Sequence, residues 1–146
     1  ATKRLCSAIN EGEPKSTVKY ILMNTVGNRN RDLPEKISFS EKCIIWLLRL
    51  LVPPHIDNEE AADFLRTKIG QNDNTIKWVV VRPSSLIDEE DVSEYKTHSS
   101  PTRSAIFNDG KVSRVNVAAF MNKLITDQNL WEKWKGQMPV IYNKEK

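Results

Sequence analysis

Two short runs place hydrogen-bonding side chains where the chain is expected to turn: Asn24-Thr25-Val26-Gly27 and Pro83-Ser84-Ser85-Leu86. The first offers an amide and a hydroxyl. The second offers two hydroxyls behind a proline that fixes φ and gives no backbone donor. Such groups can hold a flat polar ligand, and serine after proline is also ordinary turn chemistry. Tyr95 and His98, in "SEYKTHSS", can each donate a proton or shape a pocket, although a histidine in a polar loop is commonly just solvated. Asp57, Asn58 and Glu59 form an acidic group of the kind that capping and the helix dipole favour at a first helical turn. Cys6 and Cys43 lie in separate apolar segments with only His55 and His98 to join them, so they read as reduced core thiols and no metal site is expected.

The elements that must carry these groups follow from periodicity. "TVKYILMN", about 17–24, and "TIKWVVVR", about 75–82, are apolar runs of the type buried on both faces of a parallel sheet. Between them Ser40 is a candidate cap for a helix over about 41–52 that Pro53-Pro54 would end. Asp57 or Asn58 is a candidate cap for a second, with Ala61, Ala62, Leu65 and Ile69 inward and Gly70 closing it. Strand, helical crossover and strand make a right-handed βαβ unit, which puts the chain in the α/β class. In such a sheet ligands bind beyond the carboxyl ends of the strands, where both polar runs stand.

Flanking segments are simpler. Ala1, Leu5, Ala8 and Ile9 form a stripe in an opening helix that starts without a cap and stops at Gly12, as if at a cut edge. Residues about 86–113 look like short extended pieces around an Asp109-Gly110 turn. Asn116 is expected to cap a helix with Val117, Phe120, Leu124 and Ile125 inward, and Arg114 to brace the loop before it. Trp131 and Trp134, mixed with Lys133 and Lys135, suggest base stacking less than an amphipathic turn over the sheet edge. A last strand at about 137–142 carries Pro139, which marks it as an edge strand.

Composition sets outer limits. With 146 residues, 39% hydrophobic and 28% charged, the chain can bury a core and is neither disordered nor a disulfide scaffold. Its 22 basic residues against 19 acidic are scattered, which argues for no nucleic-acid and no membrane partner. "CIIWLLRLLV" is about half the length of a bilayer span and contains Arg49. No basic-then-apolar leader opens the sequence, so a cytoplasmic location is expected.

"VKYILMNTVGN", "PPHIDNEEAADFLR", "IKWVVVRPSSLIDEE", "SRVNVAAFMNKLI" and "WKGQMPVIYN", in that order, resemble the carboxyl-terminal half of an atypical short-chain dehydrogenase/reductase, most similar to the NmrA-like and biliverdin-reductase-B-like group. The resemblance implies one partial domain over 1–146, with a small substrate-side lobe at about 86–113. It also implies half of a doubly wound Rossmann sheet that binds NADP or NAD. On that basis Asn24, Thr25 and Val26 would lie beside the nicotinamide ribose, Pro83, Ser84, Ser85 and Leu86 would face the nicotinamide, and Tyr95 and His98 would fall on the substrate side.

The sequence departs from the family pattern twice. Its five glycines, at 12, 27, 70, 110 and 136, never form the Gly-x-Gly-x-x-Gly phosphate cradle, so the glycine-loop half is absent from these residues. The Tyr-x-x-x-Lys pair that serves proton transfer in typical members is missing from "DNEEAADFLRTK", leaving Lys68 alone. The expected function is an NAD(P)H-dependent oxidoreductase when intact, acting on a small molecule, with these residues alone inactive. The alternative is a non-catalytic NAD(P)-sensing or partner-binding module. In either case a missing amino-terminal half, a second copy or another chain is expected to cover the inner edge of the first strand.

Overall fold

The computed structural model of the chain describes residues 1–35, 38–51, 53–104, 106–108 and 110–144, leaving aside the side chains at 41, 42, 48–51 and 53–55. Its centre is β2 (Ile76–Pro83), whose residues are nearly all buried. A strand with helices on both faces has no outward side, which is why "IKWVVV" runs without polar alternation. β1 (Val18–Met23) pairs with it in parallel, from Val18 opposite Ile76 to Met23 opposite Val81.

On the other side of β2 lies β6 (Val140–Asn143), also parallel, with Arg82 opposite Val140 and Pro83 opposite Ile141. The four-stranded sheet is completed by β4 (Tyr95–His98), antiparallel to β6, giving the order β1-β2-β6-β4. The last strand is therefore interior. Pro139 does not mark an edge because it precedes β6 and serves the sheet only through its carbonyl, which accepts from Arg82 N at 2.8 Å. A separate ribbon pairs β3 (Ser85–Ile87) with β5 (Lys111–Ser113) in parallel, and it holds the 86–113 region against the sheet end.

The helices form two layers. On one face α4 (Arg114–Thr126) and α5 (Gln128–Trp134) bury Val117, Phe120, Leu124, Trp131 and Trp134 against Val79, Val81 and Ile141. The two tryptophans are thus core residues. Side chains of this size each contribute roughly 1.5–3 kcal/mol when removed from water. On the other face α1 (Thr2–Glu11) and α3 (Pro53–Phe64), which continues into a π-helical turn at Leu65–Ile69, set Cys6, Ala62 and Leu65 against Ile76, Trp78, Val80 and Met138. The sheet and its two helical layers bring the loops after β1, β2 and β6 to one end.

Several local expectations are corrected. The buried stripe of α1 is Thr2, Cys6 and partly Ile9, while Leu5 is half exposed and Ala8 faces outward, since Cys6 points at the sheet and the helix turns accordingly. α2 (Phe39–Leu51) begins before Ser40, whose hydroxyl lies 3.0 Å from that of Ser38. α3 begins at Pro53, a residue preorganised for a first helical position, so Asp57 and Asn58 lie inside the helix and cap nothing. Ser113, not Asn116, caps α4: its Oγ accepts from Asn116 N at 3.2 Å. Cys43 is exposed on α2 and is no core thiol. The expected turn at Asp109-Gly110 involves Asp109, which lies outside the described residues; Gly110 has φ +71°. Among the described residues no helix is long and apolar enough to cross a membrane, and no group of three or more acidic, His or Cys side chains could hold a metal.

Candidate functional site

Parallel pairing directs the closing turns of β1 and β2 to the same end, and the backbone then ties them together. Asn24 N donates to Val81 O at 2.8 Å and Val26 N to Pro83 O at 2.9 Å, so the turn after β1 runs alongside the end of β2. Ser84 N reaches across to Ile141 O at 3.4 Å. Five of the seven residues singled out from sequence, Asn24 to Val26 with Pro83 and Ser84, are therefore brought side by side at the carboxyl end of the sheet, while Ser85 and Leu86 lead away along β3.

Their side chains are used unequally. Asn24 is buried and turned inward: its Oδ1 accepts from Thr25 N at 2.8 Å and its Nδ2 donates to Asn58 O, also at 2.8 Å. The amide expected to be presented to a ligand is thus spent on fastening the turn to α3, where Asn28 Nδ2 reaches the same carbonyl at 3.3 Å. The Thr25 hydroxyl accepts from Gly27 N at 3.3 Å and remains partly accessible. Ser84 is 5% exposed, and its hydroxyl has no hydrogen-bond partner among the described residues. A buried hydroxyl without a partner costs free energy, which sets Ser84 apart from the other side chains of these turns.

Beneath the crevice lies a buried ion pair. Arg82 and Glu35 have side chains 0% and 3% exposed and meet at 2.7 Å through Nη2 and Oε1. Arg82 Nη1 also donates to Glu35 Oε2 at 3.2 Å and to Asn28 O at 2.9 Å. Nη2 reaches Ser99 O at 3.1 Å, and Nε reaches Met138 O at 2.7 Å. All five guanidinium donors are satisfied, which is what allows the charge to be enclosed. Glu35 in turn accepts from Asn30 N at 3.0 Å, so the pair shapes the whole 28–35 loop. The same loop is held to α3 at its surface by Arg31 on Asp63 (2.6 Å) and Arg66 on Asp32 (2.5 Å). A charged residue closing an otherwise apolar strand was a visible signal for Arg82. Nothing in the spacing identified Glu35 as its partner.

Tyr95 and His98 do not converge. Both lie on β4, a strand and not a polar loop, and a separation of three residues sends them to opposite faces. Tyr95 packs edge-on against Phe120 at 6.1 Å and belongs to the α4 core, whereas His98 lies 6.0 Å from the Tyr142 ring on the crevice side. Tyr142 packs with Val26 and Val140. Its phenol is pushed above its ordinary value by burial, partly offset by Thr102 and by the charges of Arg82 and Arg103. Glu59, in the acidic group of α3, lies 3.9 Å from Arg31. Arg114 pairs with Asp88 at 2.7 Å, on the surface after β3. Asn116, freed from capping, is fully buried and binds Ser93 and Asn143 through its side chain.

No family model matches the chain, and neither does any curated protein sequence. Solved structures match it in fold. A short-chain dehydrogenase/reductase from Veillonella parvula DSM 2008, solved in complex with NADP, gives a TM-score of 0.58 at 16% identity over 98% of this chain and 58% of that one. ChuY, an anaerobillin reductase from Escherichia coli O157:H7, gives 0.58 at 18% identity over 94% and 56%. The oxidoreductase ylbE from Lactococcus lactis gives 0.53 at 13% identity over 86% and 46%. The chain spans about half the length of these structures. What it shares with them is the fold: part of a doubly wound Rossmann sheet.

Proposed function

We propose that this chain forms the nicotinamide-side part of an NAD(P)H-dependent oxidoreductase. The observation that carries the reading is the crevice between the tied turns of β1 and β2, with the buried, unpartnered Ser84 hydroxyl at its wall. Crevices at the carboxyl ends of parallel strands are where open α/β sheets bind nucleotides. Thr25, Val26, Pro83, Ser84, Ser85 and Leu86 would hold the ring and its ribose, with Asn24 acting through the turn it fastens. The bound coenzyme supplies a hydride.

The residues fit one end of the dinucleotide only. With glycines at 12, 27, 70, 110 and 136 these residues hold no cradle for a pyrophosphate, and the chain spans only 58% and 56% of two of the matching structures. In this reading further residues supply that cradle and a cover for the outer edge of β1. The missing Tyr-x-x-x-Lys pair favours acceptors that need little proton transfer from the protein, such as quinones or flavins.

Saturation-transfer NMR with NADPH on the intact protein, whose further residues supply the cradle, tests the reading: the nicotinamide ring protons should receive saturation, and Ser84→Ala should weaken the signal. NADPH oxidation by the intact protein with a panel of quinones, flavins and aldehydes then separates a reductase from a sensor, since binding without turnover would favour the non-catalytic alternative. Absence of any ring contact would overturn both.

A further inference from the structure

Two loops leave the sheet beside the end of β2, and the same side chain holds both. Among the described residues, backbone hydrogen bonds tie the turn after β1 to β2 as far as Val26, and β4 pairs with β6 as far as His98. Just past those points Arg82 takes over, with Nη1 on Asn28 O at 2.9 Å and Nη2 on Ser99 O at 3.1 Å. Its own place is fixed from behind, by Nε on Met138 O at 2.7 Å and by the backbone bond from Arg82 N to Pro139 O at 2.8 Å.

Glu35 is what makes the fork usable. Its carboxylate, 3% exposed, meets both Nη atoms, and its loop is closed by Arg29 Nη2 on Glu35 O at 3.0 Å. Without that countercharge an enclosed guanidinium would be drawn toward water and would leave its carbonyls. From Asn28 the ties continue: its side-chain amide donates to Asn58 O at 3.3 Å, the carbonyl that Asn24 Nδ2 reaches at 2.8 Å. One unbroken set of hydrogen bonds therefore runs from Glu35 through Arg82 and Asn28 to Asn24, and Arg82 stands two residues before Ser84 in the chain.

We infer that Arg82 and Glu35 are positioning residues, which touch no ligand and set the spacing between the turn at 24–26 and Ser84 against which the nicotinamide end of the coenzyme is held. The inference rests on the reading proposed above; the ties themselves do not.

The test is saturation transfer from the intact protein to NADPH, reading the nicotinamide ring protons against the adenine protons of the same molecule. Arg82→Lys keeps the charge and gives up the planar fork, so it cannot serve all the acceptors at once. It should lower ring saturation relative to adenine and weaken NADPH binding by about tenfold. Glu35→Asp, one methylene shorter with its charge intact, should act in the same direction, and it carries the test if Arg82→Lys does not fold. Arg31→Ala loosens the same loop at its surface and should leave the ratio as it is. A merely structural pair would lower stability and both signals together; that result, or an unchanged ratio in both variants, would overturn the inference. Ring saturation absent from the unsubstituted protein would instead sink the reading it rests on, before any variant is compared.

Discussion

A guanidinium enclosed on all sides is tolerable only where each of its five donors meets an acceptor, and Arg82 meets that condition through four residues in three chain segments. Removing the countercharge should therefore cost far more than a surface pair would. Glu35→Gln is expected to lower stability by about 3–5 kcal/mol in urea unfolding, because it strands a buried charge. Arg31→Ala, half exposed, should cost less than about 1 kcal/mol. Tyr142 yields a prediction in pH. Its folded-state pKa lies above the unfolded value of about 10, so its contribution is fully present below that pH and is lost as pH rises through the folded value. Stability should fall in the alkaline range, and Tyr142→Phe should flatten that part of the fall in melts taken across the range. At this scale the sequence carried a signal that the reading of the strand did not use, the charge of Arg82 after Val81. It was unreadable where the partner sits in a loop 47 residues away.

β2 was legible because its burial leaves a long apolar run broken only by Lys77, β1 because its partly buried run is broken only by Lys19, and the crossover between them followed from the need to return in parallel. Caps were not, because candidates compete within a single turn. Ser113 and Asn116 are three residues apart and both can accept an amide; the outcome was decided by Ser93 and Asn143, which claim the Asn116 side chain. Ser113→Ala should cost about 0.5–2 kcal/mol by thermal or chemical unfolding. The small strands β3, β4 and β5 escaped confident placement because three or four residues carry too little alternation to reveal a partner. β4 then placed β6 inside the sheet instead of at its edge.

At the level of the molecule, β1 ends the sheet, and among the described residues no strand pairs with its outer side. Met23, half exposed at the end of that strand, adds apolar surface to it. Such an edge recruits another strand unless a charge discourages it. The isolated chain should associate with rising concentration in light scattering, and Met23→Lys should shift that association to several-fold higher concentration. The number of layers and the direction of the strands were visible in the order of apolar runs, whereas the cavity beside the β3–β5 ribbon arises from side chains scattered between Ile87 and Lys144. The buried pair beneath the crevice also limits how this architecture can be re-engineered. Segment 24–35 cannot be transplanted as a module, since a recipient would have to carry an arginine at the matching strand end and carbonyls equivalent to those of Met138 and Ser99. Without them the graft would import a naked carboxylate into an oily interior.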